Sequence, residues 1–295
     1  MRRRHFLHLH FAAVLAACGS PPPPSGGGAL TLLDDSNVTV SLRAPAQRIV
    51  SLIPATTEWL FALGAGGAVI GRTTWCDYPE AATAVPNLGD GIAPNLEAIV
   101  AVQPDLVLLY HSPANTQAAE RLRGLGIPTL VLRTDNLADL DRHLGLLGRA
   151  TGRTAVADSL RVAITAGLAA ATVPATGTEP TVFIMAWDQP PMTLGRGSFL
   201  SEIVERAGAR NLFGDLEQAS ATISIEAVVA RDPDFMLVTS ADSLPAVASR
   251  AEWRVVPAVH DQRFVRVHGS EFNRPGPRTP AAILALRRAL EAAAP

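Results

Sequence analysis

Hydrophobic and polar positions along this chain alternate between two periods. "LTLLDDSNVTVSL" (30–42) sets two β-rich runs around Asp34-Asp35-Ser36-Asn37, a turn signal, and predicts a hairpin. "RIVSLIP" (48–54) is a short apolar run closed by Pro54 and reads as a buried strand. "ATTEWLFALGAG" then takes a helical period, with Thr56 or Thr57 as its cap and Gly64 at its end. "AVIGRT" returns to strand. "PNLEAIVAVQPDLVLLY" (94–110) is helix, Pro-Asp turn and strand, and "AAERLRGLGIPTLVLR" (118–133) repeats that order. Strands alternating with helices predict an α/β fold with parallel pairing.

The period changes from 136 to 171. Pro is absent, and Leu140, Leu144, Leu147, Val156, Leu160, Ala163, Ile164 and Leu168 recur at helical spacing, with Gly145, Gly148 and Gly152 weakening the middle. "TVPATGTEP" (172–180) interrupts, and β and α signals then resume in "TVFIMAW", "FLSEIVERAG", "SIEAVVARDPDFMLVTS", "RFVRVHG" and a terminal helix, "TPAAILALRRALEAA". The predicted division is an N-terminal α/β lobe at 30–135, one connecting helix at 136–172 and a C-terminal α/β lobe at 173–295.

An internal repeat supports two similar lobes. "LEAIVAVQPDLVLL" (96–109) and "IEAVVARDPDFMLV" (225–238) align without a gap. Glu97 meets Glu226, Ala98 meets Ala227, Pro104 meets Pro233 and Asp105 meets Asp234. An amphipathic helix feeding a strand explains the apolar matches; packing does not demand the paired Glu.

Composition narrows the function classes. Net charge is −2, with no basic block beyond the first few residues, which argues against nucleic acid and anionic membrane surfaces as partners. The 25 basic residues are all Arg. Lacking Lys, the chain has neither a Walker A phosphate loop nor a Schiff-base amine. The first 18 residues, "MRRRHFLHLHFAAVLAAC", place Arg2, Arg3 and Arg4 ahead of a short apolar run that ends in small residues and Cys18. The run is too short to span a bilayer and has the length of a secretory signal. The pattern is that of a lipoprotein signal (1–17), with Cys18 lipidated and "GSPPPPSGGG" as part of a tether at 18–29. The expected location is extracytoplasmic, with membrane contact only through the anchor.

Candidate chemistry centres on "TTWCDYPEAA" (73–82), a cluster in a chain with only 5% aromatic residues. A Cys76 nucleophile, as in a cysteine hydrolase, needs a nearby His, and Asp77 beside it raises rather than lowers a thiol pKa. A small buried thiol is the alternative reading. His111, His143, His260 and His268 show no metal-binding spacing, although His111 and His268 follow strands. A ligand clamp is the third reading. Trp75, Tyr110, Trp187 and Phe272 each follow or end a predicted strand, and Arg274 lies beside the last. In α/β sheets ligands bind outside the carboxyl ends of strands. Flat apolar walls with one Arg suit a large ligand carrying a polar or anionic group.

"RIVSLIPATTEWLFALGAG", "IGRTTWCDYPEAA", "VPNLGDGIAPNLEAIVAVQPDLVLLY" and "WDQPPMTLGRGSFL" resemble the substrate-binding proteins of ABC importers for cobalamin, haem and ferric siderophores, and within them the cobalamin-binding group. The resemblance spans roughly 30–295. It implies two α/β lobes joined by a single long helix, a corrinoid held between them (haem or a ferric siderophore being the alternatives), no catalysis and no cofactor, and a monomer. It places ligand contacts at Ala55, Trp75, Tyr110 and Arg274, with Trp187 one residue past a family aromatic that is Ala186 here. Two further family tryptophans fall on Gly91 and Ser220, and a family Asp near the Arg falls on Ser270. Glu97 and Glu226 match the acidic residues that dock, one per lobe, on a dimeric permease.

Overall fold

The computed structural model describes residues 29–239 and 246–293. The signal segment, the lipidation site at Cys18 and the tether up to residue 28 lie outside the described residues.

The N-terminal lobe opens with the predicted hairpin, β1 (Leu30–Leu33) antiparallel to β2 (Thr39–Leu42). The buried Asp34 carboxylate accepts the amides of Ser36 and Val38 and closes its turn. There follow β3 (Ile49–Ser51), α1 (Pro54–Ala62), β4 (Val69–Arg72), α2 (Leu96–Ala101), β5 (Leu106–Tyr110), α3 (Pro113–Gly124), β6 (Thr129–Leu132) and α4 (Ala138–Ala150). The strands form one parallel sheet in the order β4-β3-β5-β6. Thr56 and Thr57, the expected caps of α1, lie inside it. Pro54 takes the first helical position, where its missing N–H costs nothing, and both hydroxyls donate back to the Ile53 carbonyl, at 2.9 and 3.2 Å. Gly64, at φ +73°, follows its end as predicted.

The expected continuous helix over 136–172 is two helices. After α4 the chain turns at Thr151-Gly152-Arg153, with Gly152 at φ +69°, and re-enters helix as α5 (Thr154–Ala171). Gly148 makes the fold-back possible: a Cβ there would stand 2.6 Å from that of Ala157. Leu140, Leu144 and Leu147 of α4 are fully packed, whereas Leu160, Ile164 and Leu168 of α5 are only partly covered. The single long helix that crosses between lobes is therefore α5, and α4 belongs to the first lobe.

The C-terminal lobe contains β7 (Thr181–Asp188), β8 (Pro191–Leu194), α6 (Phe199–Arg206), β9 (Arg210–Asn211), β10 (Ser220–Thr222), α7 (Ile225–Arg231), β11 (Phe235–Val238), α8 (Pro257–His260), β12 (Phe264–Arg266) and α9 (Thr279–Ala293). Its sheet runs β10-β8-β7-β11-β12, with β9 beside the start of β7. Here β11 is parallel to β7 and β12, while β8 is antiparallel to both its neighbours. The lobes are α/β in both cases but not copies.

One apolar cluster runs through both lobes. It joins Trp59, Leu106 and Leu130 of the first lobe, Leu140 and Leu144 of α4, and Ile184, Ile203, Ile283 and Leu286 of the second. The opposite face of each sheet has its own cluster: Val50, Ile99, Val107 and Leu122 in the first lobe, Phe183, Phe213, Met236 and Trp253 in the second. Close-packed interiors deform little, so a shared core opposes hinge bending between the lobes.

Candidate functional site

In a strand–helix–strand unit the helix begins where the first strand ends, so helix N-termini and strand C-termini share one face of each lobe. Trp75, Tyr110 and Trp187 lie on that face with 57%, 39% and 61% of their surface exposed. Phe272 does not join them. It is 1% exposed and packs in the shared core, so it supports the loop from behind and forms no wall. Ala55, in the first turn of α1, is 3% exposed and likewise offers almost no surface.

The loop carrying Trp75 is pinned from beneath. Cys76 is fully buried, with its Sγ 3.2 Å from Thr57 Oγ1 and 3.1 Å from Thr73 Oγ1. Thr73 Oγ1 also accepts the Trp75 amide at 3.2 Å. The thiol thus anchors a loop whose next side chain faces solvent; enclosed by hydroxyls, it has no access to a substrate. Tyr110 is fixed differently. Its hydroxyl donates to Asp135 Oδ1 at 2.7 Å, and burial together with that carboxylate pushes the phenol pKa well above its usual value. Trp187 donates its indole N–H to the Gln189 carbonyl at 2.9 Å, across the turn between β7 and β8.

Gly91, where a family tryptophan was expected to align, has φ +81°, and a Cβ there would lie 2.7 Å from the Leu52 carbonyl oxygen. No larger residue fits that backbone. The adjacent Ile92, 74% exposed, is the apolar side chain this loop presents instead. Ser220 opens the edge strand β10 and is exposed. Ile92 is legible only as an apolar residue stranded in a Gly-Asp-Pro loop.

Arg274 and Arg278 meet the first lobe at a charged cluster. Arg278 holds Glu58 with two bonds, Nε to Oε2 at 2.9 Å and Nη2 to Oε1 at 2.6 Å. Arg274 pairs with Asp77, donates Nη2 to the Trp75 carbonyl at 2.5 Å, and lies 3.5 Å from Glu58. Burial works to raise the Asp77 carboxyl, but the hydrogen bond and charge of Arg274 outweigh it and hold the group below the usual carboxylate range. The family Asp expected near this Arg is Ser270 here, and Asp77 of the opposite lobe supplies the carboxylate. Sequence reasoning missed Glu58. Its signal was a lone carboxylate inside the apolar run of α1, which demands a partner once buried.

The repeat is structural as well. Asn95 and Ser224 cap α2 and α7 by accepting the amides of Ala98 and Ala227. Gln103 and Asp232 both adopt positive φ, at 49° and 42°, ahead of buried Pro104 and Pro233. Glu97 and Glu226 occupy the same position in the first turn, both exposed. Its own backbone N–H, then the Ser224 hydroxyl, hold the Glu226 carboxyl below its ordinary pKa. Both Glu therefore lie on the face that carries the aromatics.

Among the described residues no group of three or more His, Cys, Asp or Glu is arranged to hold a metal ion. His268 is exposed, His260 pairs with Asp261, and His111 is half-buried at the end of β5. His143 is fully buried, and burial lowers its pKa.

This architecture, two α/β lobes bridged by one helix, is matched by known proteins. Residues 49–270 match the periplasmic binding protein family, and the chain belongs to it. It is a substrate-binding protein of the ABC importer class. It is 30% identical to YvrC, an uncharacterized ABC transporter substrate-binding lipoprotein of Bacillus subtilis, over 90% of each chain. It is 28% identical to a vitamin B12-binding protein of Vibrio parahaemolyticus, over 81% of this chain and 88% of that one. Its structure resembles the periplasmic haem-binding protein RhuT of Roseiflexus sp. RS-1 with a TM-score of 0.73, 26% identity, and coverage of 84% and 99% of the two chains.

Proposed function

We propose that this protein captures a corrinoid between its lobes and delivers it to an ABC permease without transforming it. The observation that carries this reading is the placement of Trp75, Tyr110 and Trp187, exposed and drawn from both lobes, in a chain with so few aromatics. Exposed large apolar groups that share one face mark a binding surface, and flat rings suit a flat macrocycle. Cobalamin is the expected ligand, and the protein itself needs no cofactor. The likeness to RhuT keeps haem, with ferric siderophores, as the second reading. The buried Phe272 and the absent side chain at Gly91 leave the walls sparser than the resemblance implied, which suits a bulky chelate.

Delivery rests on Glu97 and Glu226. Equivalent carboxylates on repeated helices match a partner with two-fold symmetry that presents one cationic patch twice. The protein acts as a monomer outside the cytoplasm, tethered through lipidated Cys18. Titration calorimetry against cyanocobalamin, haemin and a ferric siderophore tests the ligand. The expected result is saturable one-to-one binding of cyanocobalamin, weakened about ten-fold or more by Trp75→Ala. Absence of heat with cyanocobalamin, alongside binding of haemin or the siderophore, overturns the corrinoid reading.

A further inference from the structure

The charged cluster where the lobes meet is not absorbed by ligand binding or docking. Glu58 is 2% exposed and belongs to the first lobe. Its ionic partners, Arg274 and Arg278, come from the second lobe, and the Arg278 contact joins residues 220 apart in sequence. A buried carboxylate stripped of its partners is strongly unfavourable, so the lobes cannot separate here without either restoring water to Glu58 or leaving it unpaired.

Both guanidinium groups are committed to this junction. Arg278 Nη1 reaches Glu271 at 2.5 Å, its Nη2 reaches Ser270 Oγ at 2.9 Å, and its carbon lies 4.0 Å from the centre of the Tyr78 ring. Burial opposes the Arg278 charge, and the bonds and charge of Glu58 more than offset that opposition. Arg274 directs its donors at Asp77 and at the backbone carbonyl of Trp75. Ser270 Oγ lies 3.5 Å from the same Asp77 oxygen. The main chain beneath the exposed indole is therefore gripped by the opposite lobe, and the next aromatic in that loop is stacked under the second Arg.

We infer that Glu58, Arg274 and Arg278, with Asp77 and Tyr78, form an interlobe clasp that sets the aperture of the cleft and holds the Trp75 loop in register with the second lobe. Arg274 is then a positioning residue whose charge is satisfied within the protein, not a counter-ion for the ligand. Aperture and Trp75 move together: loosening the junction frees the loop, and parting the lobes withdraws the indole. A partner that pulls this junction apart would speed ligand release. That last step rests on the proposed transport reading; the clasp itself does not.

Amide hydrogen exchange of the ligand-free, full-length mature lipoprotein in detergent tests the clasp. Asp77→Asn and Tyr78→Leu alter partly exposed side chains and leave the core intact. Both are expected to raise exchange across 73–79 about five-fold while α3 and α9 keep wild-type rates. Arg278→Met gives a larger rise in the same segment, and Arg278→Lys restores part of the protection. Stopped-flow release of cyanocobalamin should quicken about five-fold in the same variants. Unchanged exchange at 73–79 in all three loss variants overturns the clasp, as does a rise spread evenly over the second lobe. A ligand counter-ion role predicts that Arg274→Met slows capture yet leaves ligand-free exchange unchanged, and that result also overturns the proposal. If exchange responds but wild-type protein binds no cyanocobalamin, the clasp stands and the corrinoid reading falls.

Discussion

The two helix–turn–strand units, α2–β5 and α7–β11, are built alike and end differently. Each has a capped start, a Glu in the first turn, a left-handed residue before a buried Pro, and an Asp that secures the neighbouring strand. Asp105 accepts the amides of Gln47 and Arg48 at 2.8 and 2.9 Å; Asp234 accepts the amide and hydroxyl of Thr181, both at 2.7 Å. Beyond these anchors the units diverge. β5 ends in Tyr110, exposed and tied to Asp135, whereas β11 ends in the buried Val238. Repetition thus preserves what any helix–strand junction needs, while the two strand ends present different side chains.

Four measurements probe how far the likeness between the units and between the lobes extends, ordered by expected effect on stability. The largest concerns an asymmetry. The first lobe buries His143, whose pKa burial lowers to about 4. The unfolded chain binds a proton near pH 6.5 that the folded chain refuses until about pH 4, so stability falls as pH drops through that window, by roughly 3 kcal/mol at its foot. Denaturant melts of His143→Leu should show a flatter acid limb than wild type; parallel limbs would refute the assignment. Next, Asp105→Ala and Asp234→Ala should each cost about 2 kcal/mol, because both anchors accept two bonds as carboxylates. Markedly unequal losses in urea melts would show that the repeat is one of shape and not of energetics. The caps come third. Asn95→Ala and Ser224→Ala should each cost about 1 kcal/mol, read from thermal melts. Last, Glu97→Gln and Glu226→Gln should leave melting unchanged. The single substitutions are expected to reduce cyanocobalamin uptake by permease-containing vesicles, and the double substitution should reduce it about ten-fold or more. Full uptake by the double variant removes the docking role.

Much of this architecture was legible in the chain, because strands and helices differ in apolar period. The hairpin at 30–42, the alternation of helix and strand, and the repeat each rest on local signals that tertiary packing did not overrule. Phe272 shows the limit. It follows a strand just as Trp75 does, but whether an aromatic faces solvent or core depends on what the rest of the fold sets beside it. The break between α4 and α5 shows another. Three glycines marked a weak stretch, yet only the closeness of Ala157 to Gly148 reveals why the chain folds back there. Cys76 was readable as a buried thiol, while its two hydroxyl partners were not.

Period, caps and turns act over a few residues, so the chain shows openly its fold class, its two-lobe plan, the paired Glu and an aromatic, Trp75, just past a strand. Where Arg274 finds its partners is legible only in the folded protein. Its partners, Asp77 and the Trp75 carbonyl, lie nearly two hundred residues away, with separations of 197 and 199. Electrostatic pairing depends on distance in space and on burial, and neither is written in the order of the chain.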